Sequence, residues 1–254
     1  SDYVLRKSKQ MRTIVKGFLP ILGVMICTGA LVFVEPDLGA LIVITAIAMG
    51  ILFLGGLTLR VILSLGILAP MGVWGAILIS PYKQARIQGF LDPWSSENVL
   101  GSGYQTTQAQ MAFGNGEFFG TGVGNSVVKQ FFLPEAHTDF IMAIIGEEFG
   151  LFGVTIVLGL FAFLIVRMFG IAKESIQNNR HFAALIAQGV AIWFSIQCTI
   201  NIAVNLGLFP TKGLTLPLLS FGGSSILVSI IAIAIVLRID HENRRNIRGQ
   251  HYNK

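Results

Sequence analysis

The chain has 254 residues, of which 53% are hydrophobic and 12% charged, where soluble domains carry about 25% charged residues. With a mean hydropathy of +0.71, this composition excludes a soluble enzyme, a disordered tail and a nucleic-acid-binding module, even at a net charge of +5. Lipid is the expected solvent for most of the chain, and the 29 Gly and 8 Pro suit membrane helices, where both are commoner than in soluble ones.

A hydrocarbon core about 30 Å thick needs about 20 apolar residues of helix. Charge-free runs fall at 17–34, 38–59, 61–82, 149–166, 182–211 and 213–237. The fourth helix is expected to begin near Phe140, which carries Glu147 and Glu148 to the membrane edge, and the last two runs include part of a loop. The prediction is an all-α, polytopic transmembrane bundle forming a single membrane domain over 1–254. Its six spans are placed at 17–34, 38–59, 61–82, 140–166, 182–206 and 217–237. Helices satisfy their own backbone polar groups in lipid, and the alternation of a barrel strand is absent.

An even number of spans puts both termini on one side. That side carries Arg6, Lys7, Lys9, Arg12, Lys16, Arg60, the loop 167–181 with Arg167, Lys173 and Arg180, and a tail with Arg238, Arg244, Arg245, Arg248 and Lys254. The other four cations are Lys83, Arg86, Lys129 and Lys212. The bias of Lys and Arg toward cytoplasmic loops predicts cytoplasmic termini and an extracytoplasmic loop 83–139. Cys27 and Cys198 fall inside spans without metal or disulfide spacing, so both are expected as small buried hydrophobes. No cleavable signal peptide is visible. Ser1 opens a basic stretch that reads as the start of a carboxyl-terminal portion of something longer.

Polar residues that persist in a membrane chain are where function is sought. Glu35-Pro36-Asp37-Leu38-Gly39 suits a tight turn between the first two spans. The stretch 83–139 far exceeds the typical connection of about 4–6 residues. It includes Gly101-Ser102-Gly103-Tyr104-Gln105, and 104–113 is expected as a short interfacial helix. Its glycines are no phosphate-binding signature, lacking a Gly-Lys-Ser/Thr and a preceding strand. Next comes Leu133-Pro134-Glu135-Ala136-His137-Thr138-Asp139-Phe140. Thr138 or Asp139 would cap the following helix; alternatively, an extended segment would put Glu135, His137 and Asp139 on one face as a metal or proton-transfer cluster. Last, Asn201 and Asn205 share one helix face, ahead of Pro210-Thr211-Lys212-Gly213-Leu214-Thr215-Leu216-Pro217 and Ser220-Phe221-Gly222-Gly223-Ser224-Ser225. The small residues there suit helix packing. Lys212 suits an anionic headgroup, or snorkels to water.

In this order and spacing, these segments resemble the FtsW/RodA/SpoVE family of shape, elongation, division and sporulation proteins. Pro-Asp-Leu-Gly, Gly-Ser-Gly-Tyr-Gln, Pro-Glu-Ala-His-Thr-Asp-Phe, Gly-Glu-Glu-Phe-Gly, Pro-Thr-Lys-Gly-Leu-Thr-Leu-Pro, Ser-Phe-Gly-Gly-Ser-Ser and Leu-Arg-Ile-Asp carry the likeness from about Phe18 to Asp240. Two of these segments resemble the cell-division branch more than the elongation branch. Glu35 departs from the pattern, standing where the family commonly has glutamine.

The resemblance implies a peptidoglycan glycosyltransferase that polymerises lipid II, the disaccharide-pentapeptide on undecaprenyl pyrophosphate, outside the cytoplasmic membrane at the division septum. It also implies a bundle of about ten spans, of which this chain would lack the first four. Its implied partners are a class B penicillin-binding protein and other division-complex proteins. Asp139 matches the family's essential aspartate and would be the general base. His137 and Thr138 would orient it, and Lys83, Arg86, Lys129 and Lys212 are the cations available to a departing pyrophosphate. A divalent ion, Mg or Mn, could assist with Glu135, Asp139 or Glu148 as oxygen ligands. Two rivals remain: a flippase for the lipid-linked precursor, and a non-catalytic division scaffold. The charge-poor spans disfavour the flippase.

Overall fold

A computed structural model describes residues 1–7, 18–34, 38–58, 60–61, 63–64, 66, 75, 81–130 and 132–252. Every regular element among them is helical: α1 (Asp2–Arg6), α2 (Leu19–Val34), α3 (Leu38–Leu54), α4 (Pro81–Leu91), α5 (Tyr104–Gly116), α6 (Ile141–Gln177), α7 (His181–Asn205) and α8 (Gly223–Tyr252). Of the predicted turn at 35–39, residues 35–37 lie outside the described residues while Leu38 and Gly39 open α3, and most of the predicted span 61–82 also lies outside them.

Among the described residues, three helices are long and apolar enough to cross a membrane: Ile141–Gln177, His181–Asn205 and Gly223–Asn246. Shorter apolar helices run over Leu19–Val32 and Gly39–Leu54. Large apolar side chains stand exposed along them, among them Leu151, Phe152, Leu160, Phe163, Leu227 and Leu237. A soluble protein would bury such stripes, and here they suit lipid. Cys27 is exposed while Cys198 is buried, so only the second matches the buried pair expected from the sequence; Cys27 sits on an outward-facing side of α2.

Several expected boundaries move, and the span expected at 38–59 ends at Leu54. The fourth helix continues past 166 through Arg167 and Lys173 to Gln177, and α8 starts at Gly223 rather than 217 and runs on well past 237. Ion pairs one turn apart, Arg238 with Glu242 at 2.8 Å and Arg244 with Asp240 at 2.9 Å, support helix where apolar residues have ended. Its late start follows from Pro217, after which the chain makes a turn before the helix begins.

Two compact units are distinguished: residues 1–65, 162–196 and 227–254, and residues 66–161 and 197–226. In the first, Val4, Phe18, Leu52, Leu57 and Leu185 form a core, and α2 packs on α3. Its polar end is held by Asn243, which is fully buried. Asn243 Nδ2 donates to Ser175 Oγ at 2.8 Å and Ile171 O at 3.2 Å, and Oδ1 accepts from Arg180 Nη1 at 3.1 Å. Both ends of a buried carboxamide are thus satisfied, as burial requires.

The second unit is organised around a break in α6. Gly150 has φ 64° and ψ −164°, a combination open essentially to glycine alone. An unbroken helix would pair Glu147 O with Leu151 N and Glu148 O with Phe152 N. Here the segment after α5 supplies the partners. Thr121 N and Gly122 N donate to Glu147 O and Glu148 O at 2.9 and 3.1 Å, while Leu151 N and Phe152 N donate to Glu117 O and Phe118 O at 3.0 and 3.1 Å. The backbone polarity of the break is closed internally, the condition for irregular chain within a membrane protein. Close approach depends on glycine on both sides. A Cβ on Gly116 would fall 1.9 Å from Gly146 O, and one on Gly120 would fall 2.2 Å from Glu148 O. Ala109, Ala112, Ala143, Ile144, Phe140 and Val204 fill the core beside it.

Candidate functional site

The 135–139 segment is a turn, not the extended strand that would align three side chains. Glu135 has φ 58°, and its carbonyl accepts from Thr138 N, Asp139 N and Phe140 N at 3.2, 3.0 and 3.3 Å. The Thr138 hydroxyl donates backward, to Glu135 O at 3.1 Å and Oε2 at 2.7 Å. Glu135 and His137 end exposed and Asp139 half-buried. The extended alternative is not realised, because positive φ at Glu135 reverses the chain within five residues.

Asp139 is gripped from α7. Asn201 Nδ2 and Asn205 Nδ2 each donate to its main-chain oxygen at 2.9 Å. Its carboxylate lies over the backbone beside Lys212: a Cβ on Gly213 would stand 3.3 Å from Asp139 Oδ2. The 210–217 stretch that carries Lys212 has no regular structure and is pinned by side chains. Asn201 Nδ2 donates to Leu214 O at 2.5 Å, and Gln197 Nε2 to Thr215 O at 2.8 Å. Thr215 Oγ1 and Ser225 Oγ are 2.9 Å apart, and Leu216 N donates to Ser220 Oγ at 2.6 Å. Phe221 N donates to His137 O at 2.9 Å, which ties this stretch to the His137–Asp139 turn.

Arg86, on α4, directs Nη1 to Thr211 O at 3.4 Å. Beside it lies a cavity of about 350 Å³ lined by Arg86, Ser102, Tyr104, Gln105, Pro134 and Thr211, among others. Its lining comes from four chain segments and offers hydroxyl, carboxamide and guanidinium groups, and two of the segments, at Pro134 and Thr211, lead on to Asp139 and Lys212. On another side of the turn, an apolar hollow of about 420 Å³ is lined by His137, Ile141, Leu219, Phe221 and Ile226.

The remaining sequence candidates have other engagements. The Lys129 ammonium binds the Glu148 carboxylate. Glu147 is 1% exposed and receives Ser126 Oγ, Asn115 Nδ2 at 3.4 Å, and the Val127 and Val128 amides at 3.3 Å each. Glu135, Asp139 and Glu148 do not gather as a cation site: among the described residues no three His, Cys, Asp or Glu side chains are placed to hold a metal ion. The Lys83 side chain lies outside the described residues. Gln197 was not singled out from the sequence, although its four-residue spacing to Asn201 and Asn205 is a readable signal for one polar helix face.

Residues 1–245 match the family model for FtsW/RodA/SpoVE, described as "Cell cycle protein". The chain belongs to the FtsW/RodA/SpoVE family. Among relatives of this family, a protein of Aromatoleum aromaticum is 49% identical over 249 residues, which is 98% of this chain and 60% of that protein. One of Thiomonas intermedia is 47% identical over 252 residues, 99% of this chain and 61% of the relative. Both are named "Probable peptidoglycan glycosyltransferase FtsW". The chain thus spans only about three-fifths of the length of these curated relatives.

Solved structures share the fold. A chain from the work described as "Structural coordination of polymerization and crosslinking by a peptidoglycan synthase complex" superposes with a TM-score of 0.72. It is 27% identical, with 95% of this chain and 68% of that one covered. The Thermus thermophilus rod shape determining protein RodA gives a TM-score of 0.57 at 23% identity, covering 95% and 63%.

Proposed function

We propose that this chain carries the catalytic centre of a peptidoglycan glycosyltransferase that joins lipid II units during bacterial cell division. In this reading the chain contributes six spans to a larger bundle, both its termini are cytoplasmic, and 83–139 with its helices α4 and α5 lies outside. The names of the curated relatives support the activity. The observation that carries the site is the Asp139 carboxylate set against the backbone of Gly213, next in sequence to Lys212.

The chemistry follows from that pairing of segments. An acceptor sugar hydroxyl attacks the anomeric carbon of the donor. Its proton passes to the Asp139 carboxylate, a new glycosidic C–O bond forms, and the anomeric C–O bond to the pyrophosphate breaks with the electron pair leaving on oxygen. A positioned base contributes about 10²–10⁴-fold to such a step. Lys212 and Arg86 supply positive charge to the departing pyrophosphate, most effectively where water is excluded. The polar cavity beside Arg86 would hold headgroup atoms, and the apolar hollow beside His137 would take lipid. A class B penicillin-binding protein is the proposed partner, consistent with the neighbour described as a peptidoglycan synthase complex.

The test is polymerisation of purified lipid II by the full-length protein with that partner in detergent, where no membrane has two sides to cross. Glycan chains are the expected product. Absence of polymer, with lipid II translocated across intact vesicles, would favour transport instead.

A further inference from the structure

Asn201 and Asn205 are 1% and 0% exposed and lie one turn apart on α7. A regular helix would close Asp139 O onto Ala143 N. Here the Asn205 carboxamide stands between them: Nδ2 donates to Asp139 O at 2.9 Å and Oδ1 accepts from Ala143 N at 3.0 Å. Ala143 N is shared with Phe140 O at 2.9 Å. The Asp139 carbonyl, two residues ahead of α6, is therefore linked to the first turn of the helix through a side chain from another helix.

Asn201 completes the arrangement. Its Nδ2 donates both to Asp139 O at 2.9 Å and to Leu214 O at 2.5 Å. One amide nitrogen thus spans the segment that bears Asp139 and the segment that bears Lys212. A primary carboxamide supplies two donors and an acceptor on one small group, and a hydroxyl or an apolar side chain cannot replace that set. The orphan groups of a helix N-terminus are N–H donors, and Asn205 Oδ1 serves one of them, Ala143 N. Both asparagines also donate to the Asp139 carbonyl, a bond that capping the α6 start does not call for.

We infer that Asn201 and Asn205 are positioning residues for glycosyl transfer, setting the Asp139 carboxylate against the Lys212–Leu214 loop; this rests on the reading of Asp139 as general base. Neither touches substrate. Their effect is on the geometry of the step, where displacement of about 1 Å costs about 10²-fold in rate.

The experiment measures lipid II polymerisation kinetics and thermal unfolding for Asn201→Leu, Asn201→Gln and Asp139→Asn in the full-length protein with its transpeptidase partner. Asn201→Leu is expected to lower kcat about 10²-fold with KM for lipid II unchanged, per mole of folded enzyme. Asn201→Gln keeps the carboxamide one methylene further out. It is expected to retain the fold and lose about tenfold in kcat, so it carries the test if Asn201→Leu does not fold. Wild-type kcat in the folded variants overturns the inference, as does a loss that only follows the unfolded fraction or a rise in KM alone. If Asp139→Asn is inactive while the Asn201 variants are normal, this inference alone fails. If Asp139→Asn retains wild-type kcat, the base reading fails and takes the inference with it.

Discussion

The Asp139 carboxylate lies over the backbone of Gly213, so close that a Cβ there would stand 3.3 Å from Oδ2. No left-handed backbone requires glycine at this position, and Gly213 is exposed. Space for the carboxylate is therefore the feature that a side chain would remove. Gly213→Ala should displace Oδ2 by a few tenths of an ångström and lower kcat about tenfold, with Gly213→Val worse. Thermal unfolding should be unchanged. Wild-type turnover in both variants would separate Gly213 from the chemistry.

Lys212→Gln keeps the length of the side chain near that of lysine but removes its charge. A hydrogen bond to a charged group is worth about 1.5–3 kcal/mol, so KM for lipid II should rise about tenfold or more. Titration of binding to a non-polymerising variant checks this directly, and unaltered affinity would take Lys212 out of substrate recognition.

Lys129 was a candidate for the same role on sequence grounds, yet its ammonium is bound to Glu148. Breaking a buried pair costs about 3–5 kcal/mol; with the Lys129 side chain 23% exposed, about 2 kcal/mol is the expected loss for Lys129→Met. Its signature should be a lower melting temperature with KM unchanged. A raised KM at normal stability would return Lys129 to the substrate.

Gly150→Ala tests the broken helix. The residue would have to hold φ 64° and ψ −164°, and its Cβ would meet Gly120 N at 2.5 Å and Phe118 O at 2.6 Å. Backbone strain alone costs about 1–3 kcal/mol, and the clash is with main chain, which cannot rotate away. The variant should fail to accumulate as folded membrane protein. Normal yield and melting temperature would mean that the break is not needed.

What the sequence made legible was set by local rules. Charge-free length placed the apolar helices, glycines flanking Tyr104 to Phe113 marked α5, and spacing put Asn201 and Asn205 on one face. What it hid depends on distant partners. The break at Gly150 is closed by residues 117–122, about thirty positions earlier, and nothing in the sequence near Gly150 announces them. Lys129 looked like a free outer cation because its partner Glu148 lies on another element. The acceptor of the two asparagines is a main-chain oxygen, which carries no sequence signature at all. His137 and Asp139 sit where an alternation rule would align them, but a single positive φ at Glu135 overrides it.

The most direct measurement is the rate of glycan formation by Asp139→Asn beside the wild-type full-length protein, with equal membrane insertion verified for both. Replacing the carboxylate by a carboxamide of the same shape removes the base and leaves the main-chain grip of Asn201 and Asn205 in place. The expected result is loss of polymer by about 10²–10⁴-fold with lipid II still bound. Polymer formed at the wild-type rate would contradict the account and leave Asp139 as a structural residue at the start of α6.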